Sequence, residues 1–354
     1  MLFYQLPSKI KEDGKISSNE EDLYFMTIRF GIIGTNWITE SFIEAASEIA
    51  DFQLTAVYSR TEDKAKAFAD KYQADYTYTD LDEMAKSDAI DAVYIASPNA
   101  YHAEHAILFL KNKKHVLTEK AMASNANEVE QMIKAAKENN VLLMEALKTT
   151  FLPNFQVIQE NLHKVGKIRR AFVSYCQYSS RYDAYKEGTV LNAFKPELSN
   201  GSLMDIGVYC LYPMVLLFGK PEEVKATSFL LETGVDGEGS IIMRYPDMDV
   251  ILMYSKITNS YIPSEIQGEE GNLLIQQFST PTKVEFIPRK GETEDLTVSQ
   301  KTASMYYEAK EFIELIKVGK IESSVNSYDV SLTVMEIMDE VRKQTGVVFP
   351  ADKQ

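Results

Sequence analysis

Residues 28–39 read IRFGIIGTNWIT, an apolar, β-branched run that meets a glycine and continues into an amphipathic segment. This order predicts a strand, a tight turn and a helix, and such a turn directs backbone N–H groups and the helix N-terminus at a phosphate. The usual G-x-G-x-x-G spacing falls on Gly34, Asn36 and Thr39, so only its first position is glycine. Asn36 tolerates a left-handed backbone better than most residues, which suits it to the place of the second glycine. An ordinary βα turn that binds nothing is the alternative.

Strands and helices alternate through residues 26–147. Short apolar runs predict four further strands, at 52–59, 91–97, 114–119 and 141–146, and amphipathic segments predict helices at 37–50, 62–72, 100–112 and 126–140. This alternation forms βαβ units, and the nearly continuous apolar character of the strands indicates a parallel sheet covered on both faces. We therefore predict an α/β, doubly wound Rossmann domain over residues 26–147. Its first turn predicts cofactor contacts from Gly34, Thr35, Asn36, Trp37 and Ile38.

The pattern changes in residues 148–354. A helix at 151–165 precedes a strand at 168–180, a helical stretch at 201–219, a series of strand-like runs between 223 and 298, and two final helices near 303–318 and 328–344. This predicts an α+β domain with a large, open, mainly antiparallel sheet that binds substrate, with room for the last helix to pack back on the first domain. Because an exposed sheet face invites aggregation, we expect a homodimer or a dimer of dimers to cover it. Residues 1–25 are polar and without periodicity, so we expect a flexible extension.

Composition excludes several classes of protein. The net charge of −15 argues against nucleic-acid and anionic-membrane partners, since the field of the protein would repel them. No apolar run approaches the roughly 18 residues that span a bilayer, and we expect no membrane partner. The two cysteines, Cys176 and Cys210, and the four histidines show no metal spacing, so we expect no metal and a reducing, cytoplasmic location.

Cofactor selectivity is usually decided at the end of the second strand, where an acidic residue binds the ribose hydroxyls of NAD. Here the sequence reads Ser59-Arg60-Thr61, with no acidic residue. Ser59 and Arg60 could bind a 2′-phosphate, and the guanidinium could stack on adenine. We therefore favour NADP as the cofactor. If Arg60 is only a solvated residue before the next helix, NAD is the cofactor.

Three further segments carry a resemblance: SPNAYH at 97–102, EKAMASN at 119–125 and DIGVYCLYP at 205–213. Together with the first turn they resemble the glucose-fructose oxidoreductase / inositol dehydrogenase (Gfo/Idh/MocA) family, from Met26 to the C-terminus. The chain is most similar to the branch of dimeric dihydrodiol dehydrogenases, which looks alike at MEALKTTFLP, residues 144–153. There are two departures: the first turn has lost glycines, and the common E-K-P reads Glu119-Lys120-Ala121.

The resemblance implies hydride transfer between a nicotinamide and a carbon of a sugar, polyol or vicinal diol, a small polyhydroxylated substrate. It implies that Lys120 lies beside the nicotinamide and the substrate hydroxyl, that Tyr209 exchanges the proton, and that Asp205 lies nearby. A phenol has an ordinary pKa near 10, and an adjacent ammonium favours the phenolate that can accept a proton and stabilises charge on the substrate oxygen. The loops after the fourth and fifth strands add expected cofactor contacts from Ser97, Pro98, Asn99, His102, Glu119 and Lys120.

Each of these residues has a structural alternative. Lys120 could be solvated, Tyr212 could replace Tyr209, and Asp205 could cap a helix. His102 could contact substrate or cap the helix after it. The polar, aromatic loop at 179–201 is too irregular for core, and it offers Arg181, Tyr185 and Asn192 as weaker candidates for substrate contacts. The family also includes regulators without catalysis, so a dinucleotide-sensing regulatory protein is the alternative to an enzyme.

Overall fold

The computed structural model describes residues 27–353, and the predicted extension over residues 1–25 lies outside this range. The first of two sheets contains β1 (Ile28–Ile33), β2 (Phe52–Tyr58), β3 (Tyr76–Tyr78), β4 (Ala92–Ile95), β5 (His115–Glu119) and β6 (Leu143–Ala146). Its order is β3-β2-β1-β4-β5-β6, and every pair is parallel. The predicted doubly wound sheet is confirmed, and its strand order reverses between β1 and β4, where such sheets bind ligands.

Helices connect these strands: α1 (Trp37–Ala46), α2 (Glu62–Tyr72), α3 (Leu81–Lys86), α4 (His102–Lys111) and α5 (Ala126–Asn139). The apolar faces of these helices pack on the sheet, and the strands are therefore buried on both sides. Phe42 of α1 stacks on Tyr94 of β4 with ring centroids 3.8 Å apart. The short elements β3 and α3 were not predicted. The three residues of β3 are largely exposed and form no apolar run that would indicate a strand.

The second sheet contains β7 (Ile168–Cys176), β8 (Glu223–Leu230), β9 (Asp236–Arg244), β10 (Asp249–Ser255), β11 (Ser264–Gly268), β12 (Gly271–Gln276), β13 (Lys283–Pro288) and β14 (Glu294–Asp295). The order is β14-β13-β12-β11-β7-β10-β9-β8. The neighbouring strands β7 and β10 are parallel, and the other pairs are antiparallel. The sheet is therefore mixed and mainly antiparallel, as predicted.

The predicted loop at 179–201 has more regular structure than expected. It contains α7 (Ser180–Lys186) and two short 3₁₀ segments, Asn192–Phe194 and Pro196–Leu198. Ser179 caps α7 by accepting the N–H of Arg181, and the Tyr185 ring packs edge-on against Phe194 with centroids 5.4 Å apart. These aromatic contacts give the loop a small core of its own, which no periodicity in its sequence had indicated.

Helix α8 (Val208–Phe218) is the core helix of the second sheet. The prediction that no apolar run approaches 18 residues is wrong here: residues 196–218, which include this helix, are long and apolar enough to cross a membrane. An 18-residue window within them has mean hydropathy 1.5, but 72% of that window is buried inside the fold. The helix packs between β7 and β10 on one side and α10 (Tyr328–Thr345) on the other. Burial from all sides requires an apolar surface all round, so the composition of this stretch is that of a core helix.

The remaining helices lie between the two sheets in the chain or after the last strand. Helix α6 (Pro153–Asn161) follows a 3₁₀ segment at Lys148–Phe151 and precedes β7, and α9 (Tyr306–Lys317) precedes α10. Helix α9 packs against α1, and α10 packs against α5. The buried Arg342 of α10 pairs with Asp339 and Asp352 and donates to the Ser124 carbonyl before α5. The C-terminal helices therefore pack on the first sheet's helices and hold the two sheets together.

Candidate active site

The β1–α1 turn is built around a glycine and an asparagine. Gly34 has φ +106°, and a Cβ there would lie 2.7 Å from the Ala96 carbonyl oxygen, so the turn needs glycine at this point. Asn36 has an extended backbone, and its Oδ1 accepts the N–H groups of Ile38 and Thr39 at 3.0 and 3.3 Å. Asn36 therefore does not use the left-handed backbone that it would tolerate: this residue is the N-cap of α1.

The residues predicted to select the cofactor lie at the end of β2. Ser59 is buried and Arg60 is exposed. Thr61 precedes α2, and its side chain makes no hydrogen bond to the start of that helix. Trp37, the only tryptophan in the chain, is the first residue of α1 and is 63% exposed. An exposed aromatic ring next to the glycine turn is open to contact with a bound dinucleotide.

The loops after β4 and β5 are joined by buried polar contacts. The ring nitrogens of His102 lie 2.9 Å from the Ala121 carbonyl and 2.8 Å from the Ser97 carbonyl, and burial lowers the pKa of this imidazole to about 4. Asn99 donates from Nδ2 to the Ser199 carbonyl at 2.9 Å. His102 therefore lies beneath both loops as a neutral ring. The bond from Asn99 connects the loop after β4 to the 179–201 segment, which belongs to the part of the chain that forms the second sheet.

Lys120 is the residue directly after β5, and it reaches across to the start of α8. Its Nζ donates to the Asp205 carbonyl oxygen at 2.7 Å and to Asp205 Oδ1 at 3.1 Å. Although burial lowers the pKa of the Lys120 ammonium, the charges of Asp205, Tyr209 and Glu119 raise it more. Lys120 is therefore protonated, with one of its three N–H bonds left beyond the two to Asp205. The predicted proximity of Lys120 and Asp205 is present in the structure, across 85 residues of chain.

Lys256, directly after β10, lies on the other side of the same carboxylate. Its Nζ forms an ion pair with Asp205 Oδ2, and the side chain is almost completely buried. Burial would raise the pKa of Asp205, but the two lysines hold it well below its usual range. Sequence reasoning missed Lys256. The available signal was a single lysine at the end of the apolar run DVILMYSK, a position like that of Lys120.

Tyr209 and Tyr212 have different environments. The Tyr209 ring lies 5.1 Å from Lys120 Nζ and packs edge-on against Tyr175. Tyr212 is fully buried, and its hydroxyl lies 2.9 Å from Ser331 Oγ. Asp205 and Tyr209 are four residues apart, through the π-helical turn Leu203–Gly207, and so project on one side of the helix. Tyr209 is therefore the tyrosine that lies beside Lys120, and Tyr212 is a packing residue.

A group of buried acids lies behind Lys120. Glu119 accepts the Tyr94 hydroxyl at 2.5 Å and the Lys120 N–H at 3.3 Å. Glu308 of α9 is buried, and neither of its carboxylate oxygens has a hydrogen-bond partner among the described residues. Burial raises the pKa of both carboxyls, and the charge of Glu119 raises the pKa of Glu308 further. Glu119 is thus directed into the protein, where it supports the backbone that carries Lys120.

The site lies where the carboxyl ends of β1, β4 and β5 meet the second sheet. The glycine turn can hold the phosphates of a dinucleotide, while Lys120 and Tyr209 provide an ammonium and a phenol for the oxygen of a substrate. A hydride carrier beside a group that moves the matching proton is the minimum requirement for oxidation of an alcohol. Fold and site together define a nicotinamide-dependent oxidoreductase.

Comparison with known proteins gives the family. Residues 28–147 match the model of the oxidoreductase family with NAD-binding Rossmann fold, and residues 158–274 match the GFO/IDH/MocA C-terminal domain. The chain belongs to the Gfo/Idh/MocA oxidoreductase family, as the resemblance had predicted.

Individual relatives agree with this assignment. The chain is 58% identical to the scyllo-inositol 2-dehydrogenase (NADP(+)) of Bacillus subtilis, over 92% of this chain and 99% of that protein. It is 33% identical to the trans-1,2-dihydrobenzene-1,2-diol dehydrogenase of Xenopus laevis, over 92% of this chain and all of that protein. The crystal structure of a 3-ketoreductase from Actinomadura kijaniata superposes with a TM-score of 0.80 at 23% identity, covering 90% of this chain and 98% of that one, which shows a shared fold.

Proposed function

We propose that this protein is an NADP-dependent dehydrogenase that interconverts one secondary hydroxyl of a cyclic polyol, of the scyllo-inositol type, and the corresponding ketone. The observation that carries the proposal is the Lys120–Asp205–Tyr209 cluster at the end of β5, next to the dinucleotide turn. The substrate class is that of the 58% identical dehydrogenase, and the more distant diol dehydrogenase also acts on adjacent ring carbons that bear oxygen. In this proposal residues 26–147 bind the cofactor and residues 148–354 bind the substrate.

The residues at the end of β1 and β2 fit NADP. The turn at Gly34 brings the chain to the start of α1, and the N–H groups before Ile38 are not taken up by the Asn36 cap and can bind a phosphate. Exposed Arg60, with Ser59 and no acidic neighbour before it, suits a 2′-phosphate. We assign further contacts to Thr35, Trp37, Ser97 and Pro98, which border the same edge of the sheet. When bound, the cofactor supplies the carbon that accepts or gives the hydride.

The three side chains then have distinct roles. Asp205 orients Lys120, whose remaining N–H bond is available to the substrate oxygen. Tyr209 takes the hydroxyl proton during oxidation and returns it during reduction. Burial raises the pKa of the Tyr209 phenol above its ordinary value, although Lys120 lowers it, so the phenol is protonated at neutral pH. The site is therefore ready to act as an acid in ketone reduction, and alcohol oxidation is favoured by alkaline pH.

The first prediction concerns turnover. Purified protein supplied with NADP+ and scyllo-inositol is expected to produce NADPH, followed by its absorbance, while open-chain polyols serve as comparison substrates. NADPH is expected to bind more tightly than NADH, because only NADPH carries the 2′-phosphate that Arg60 can bind. Binding is measured by energy transfer to the reduced nicotinamide from Trp37, the only tryptophan in the chain.

The matched variant is Arg60→Ala, which is expected to weaken NADPH binding about 10- to 100-fold and to leave NADH binding nearly unchanged. Equal losses for both cofactors would contradict the role given to Arg60. Tight NADPH binding without turnover of any cyclic polyol or diol would favour a dinucleotide-sensing regulator over a dehydrogenase. Failure to bind either dinucleotide would remove the basis of the proposal.

We also propose that a second copy of the chain covers the open face of the second sheet. Ile242 on β9, Ile251 on β10 and Phe172 on β7 are cross-strand neighbours on this face. Phe229 and Met253 on the same face are 58% and 38% exposed. Large exposed apolar side chains over several adjacent strands are typical of a surface that another protein covers. A homodimer, or a dimer of dimers, satisfies this requirement with one kind of chain.

The second prediction is that light scattering on the purified protein gives a mass of at least two chains. Replacing Ile242 with glutamate places buried charges in the interface and is expected to dissociate the assembly. Lys134→Glu, a charge change at an exposed residue of α5 away from the second sheet, is the comparison and is expected to leave the assembly intact. A monomeric wild type at micromolar concentration would contradict the dimer.

We propose that the enzyme acts in the cytoplasm. Cys176 and Cys210 are free thiols, and Cys210 is buried on α8. The acidic net charge of −15 favours a dissolved protein over one held at an anionic membrane or on nucleic acid.

A further inference from the structure

Lys256 is a buried cation that the roles given above leave unused. It is 3% exposed, and its Nζ pairs with Asp205 Oδ2, the oxygen that Lys120 does not contact. The ring of Phe194 lies 5.4 Å from the same nitrogen and shields it from solvent. The backbone at Lys256 is fixed as well, because its N–H donates to the Gly237 carbonyl and its carbonyl accepts the Ser179 N–H. The ammonium is therefore held in place from three sides.

The charges around this ammonium come from several elements. Burial lowers the pKa of Lys256 below its ordinary value, and the cations Lys120 and Arg181 lower it further, although the charge and hydrogen bond of Asp205 raise it. Lys256 also lowers the pKa of Asp236 on β9, although burial raises that pKa more. Around Tyr209 the charged and titratable neighbours are Lys120, Glu119, Glu308 and Tyr175. Lys256 thus contributes the second positive charge, and Asp205 is the only carboxylate among the described residues with which the two ammonium groups pair.

The second lysine changes the net charge of the cluster. Lys120 and Asp205 alone form a neutral pair, and a carboxylate 3.1 Å from Lys120 Nζ cancels much of the field that the ammonium exerts on a substrate oxygen. With Lys256 the three groups carry a net charge of about +1 when each has its ordinary ionisation. The oxygen of the substrate gains negative charge as its proton leaves, so an excess positive charge stabilises that state.

We propose that Lys256 is a positioning residue for the reaction: it holds and neutralises Asp205, so that Asp205 can orient Lys120 without cancelling its charge. The inference rests on the proposed dehydrogenase function and deepens it. Lys256 touches neither substrate nor cofactor in this scheme, and it acts through Asp205. The site therefore contains a Lys–Asp–Lys arrangement in which each carboxylate oxygen has its own ammonium.

The test is the variant Lys256→Met, which keeps the length of the side chain and removes its charge. Its kcat with the cyclic polyol and NADP+ is expected to fall about 10- to 100-fold, with KM and NADPH affinity nearly unchanged. Lys256→Arg restores a cation beside Asp205 and is expected to recover most of the loss. Thermal unfolding of each variant shows that the comparison is made on folded protein.

A double variant separates charge balance from general damage. If Lys256 acts by neutralising Asp205, Lys256→Met costs much less activity in the Asp205→Asn background, where no carboxylate remains to neutralise. The same comparison serves if Lys256→Met alone does not fold, because Asp205→Asn also removes the unpaired buried charge.

Three results would overturn the proposal: an unchanged kcat in Lys256→Met, a loss confined to KM or to NADPH binding, or an equal loss in both backgrounds. A wild type that turns over none of the substrates contradicts the proposed function itself. An active wild type with a fully active Lys256→Met variant contradicts only the role of Lys256.

Discussion

Replacing Tyr209 with phenylalanine is expected to lower kcat and kcat/KM about 10²- to 10⁴-fold, the usual contribution of a general acid–base group. Phenylalanine keeps the ring beside Lys120 and Tyr175 and removes only the hydroxyl that exchanges the proton. NADPH binding, measured by energy transfer from Trp37, should not change. Steady-state kinetics in both directions provide the measurement.

The pH dependence gives the same experiment a second readout. Burial raises the pKa of Tyr209, so the phenol needed for reduction is present throughout the neutral range. The phenolate needed for oxidation becomes populated only as the pH rises above that range. In the wild type we expect kcat/KM for oxidation to increase with pH from neutral into the alkaline range, and kcat/KM for reduction to remain flat near neutrality. The Tyr209→Phe variant should lose this increase.

Tyr212→Phe is the matched control. It removes a hydroxyl one helical turn away, whose partner is Ser331 rather than Lys120. It is expected to cost about 1 kcal/mol of stability and to leave turnover within a few-fold of the wild type. Equal loss of turnover in the two variants would mean that a perturbed helix α8, and not the missing acid, explains the result for Tyr209.

Replacing Lys120 with methionine is expected to lower kcat about 10²- to 10³-fold, because the substrate oxygen loses the charge-bearing donor closest to it. The variant also leaves the Asp205 carboxylate with Lys256 alone and removes the cation 5.1 Å from the Tyr209 ring. Without that cation the pKa of Tyr209 rises further, so oxidation should shift to still more alkaline pH. The pH–rate profile of Lys120→Met against the wild type checks the direction of the shift.

Lys120→Arg tests whether any cation suffices. The guanidinium is planar and larger, and it cannot reproduce the two bonds of the ammonium to the Asp205 carbonyl and Oδ1 at 2.7 and 3.1 Å. We expect the turnover of Lys120→Arg to be little higher than that of Lys120→Met. A fully active methionine variant would show that Lys120 is a structural ion-pair partner and that the chemistry lies elsewhere.

Several features of the fold could be predicted because their causes are local in the chain. An apolar run of β-branched residues forms a strand wherever it is covered, and the alternation with amphipathic helices leaves few topologies other than a doubly wound sheet. The glycine of the first turn could be predicted for the same reason, since φ +106° at Gly34 is required by the backbone path itself. The proximity of Lys120 and Asp205 was implied by the family resemblance and not by any local pattern, and the structure places them in contact.

The errors have physical reasons as well. Asn36 was interpreted as a substitute for the second glycine because it tolerates a left-handed backbone, but its backbone is extended and its side chain accepts two N–H groups of the first turn of α1. His102 was expected to face a ligand or cap a helix, but two buried carbonyl oxygens lie within hydrogen-bond distance of its ring. In both cases the residue type indicated that the side chain forms hydrogen bonds. The sequence did not indicate the partner, because the partner depends on how neighbouring segments pack.

The amino-acid order alone determines the alternation of elements, the acidic net charge, the turn at Gly34 and the two motifs with Lys120 and Tyr209. The pairing of Lys256 with Asp205, 51 residues away, and the buried acids around Glu119 are set by tertiary packing. Hydrophobic periodicity is a property of neighbours in the chain and can be read along it. A buried charge is tolerated only where distant elements bring its partner within a few ångströms, so its role is decided when the two sheets meet.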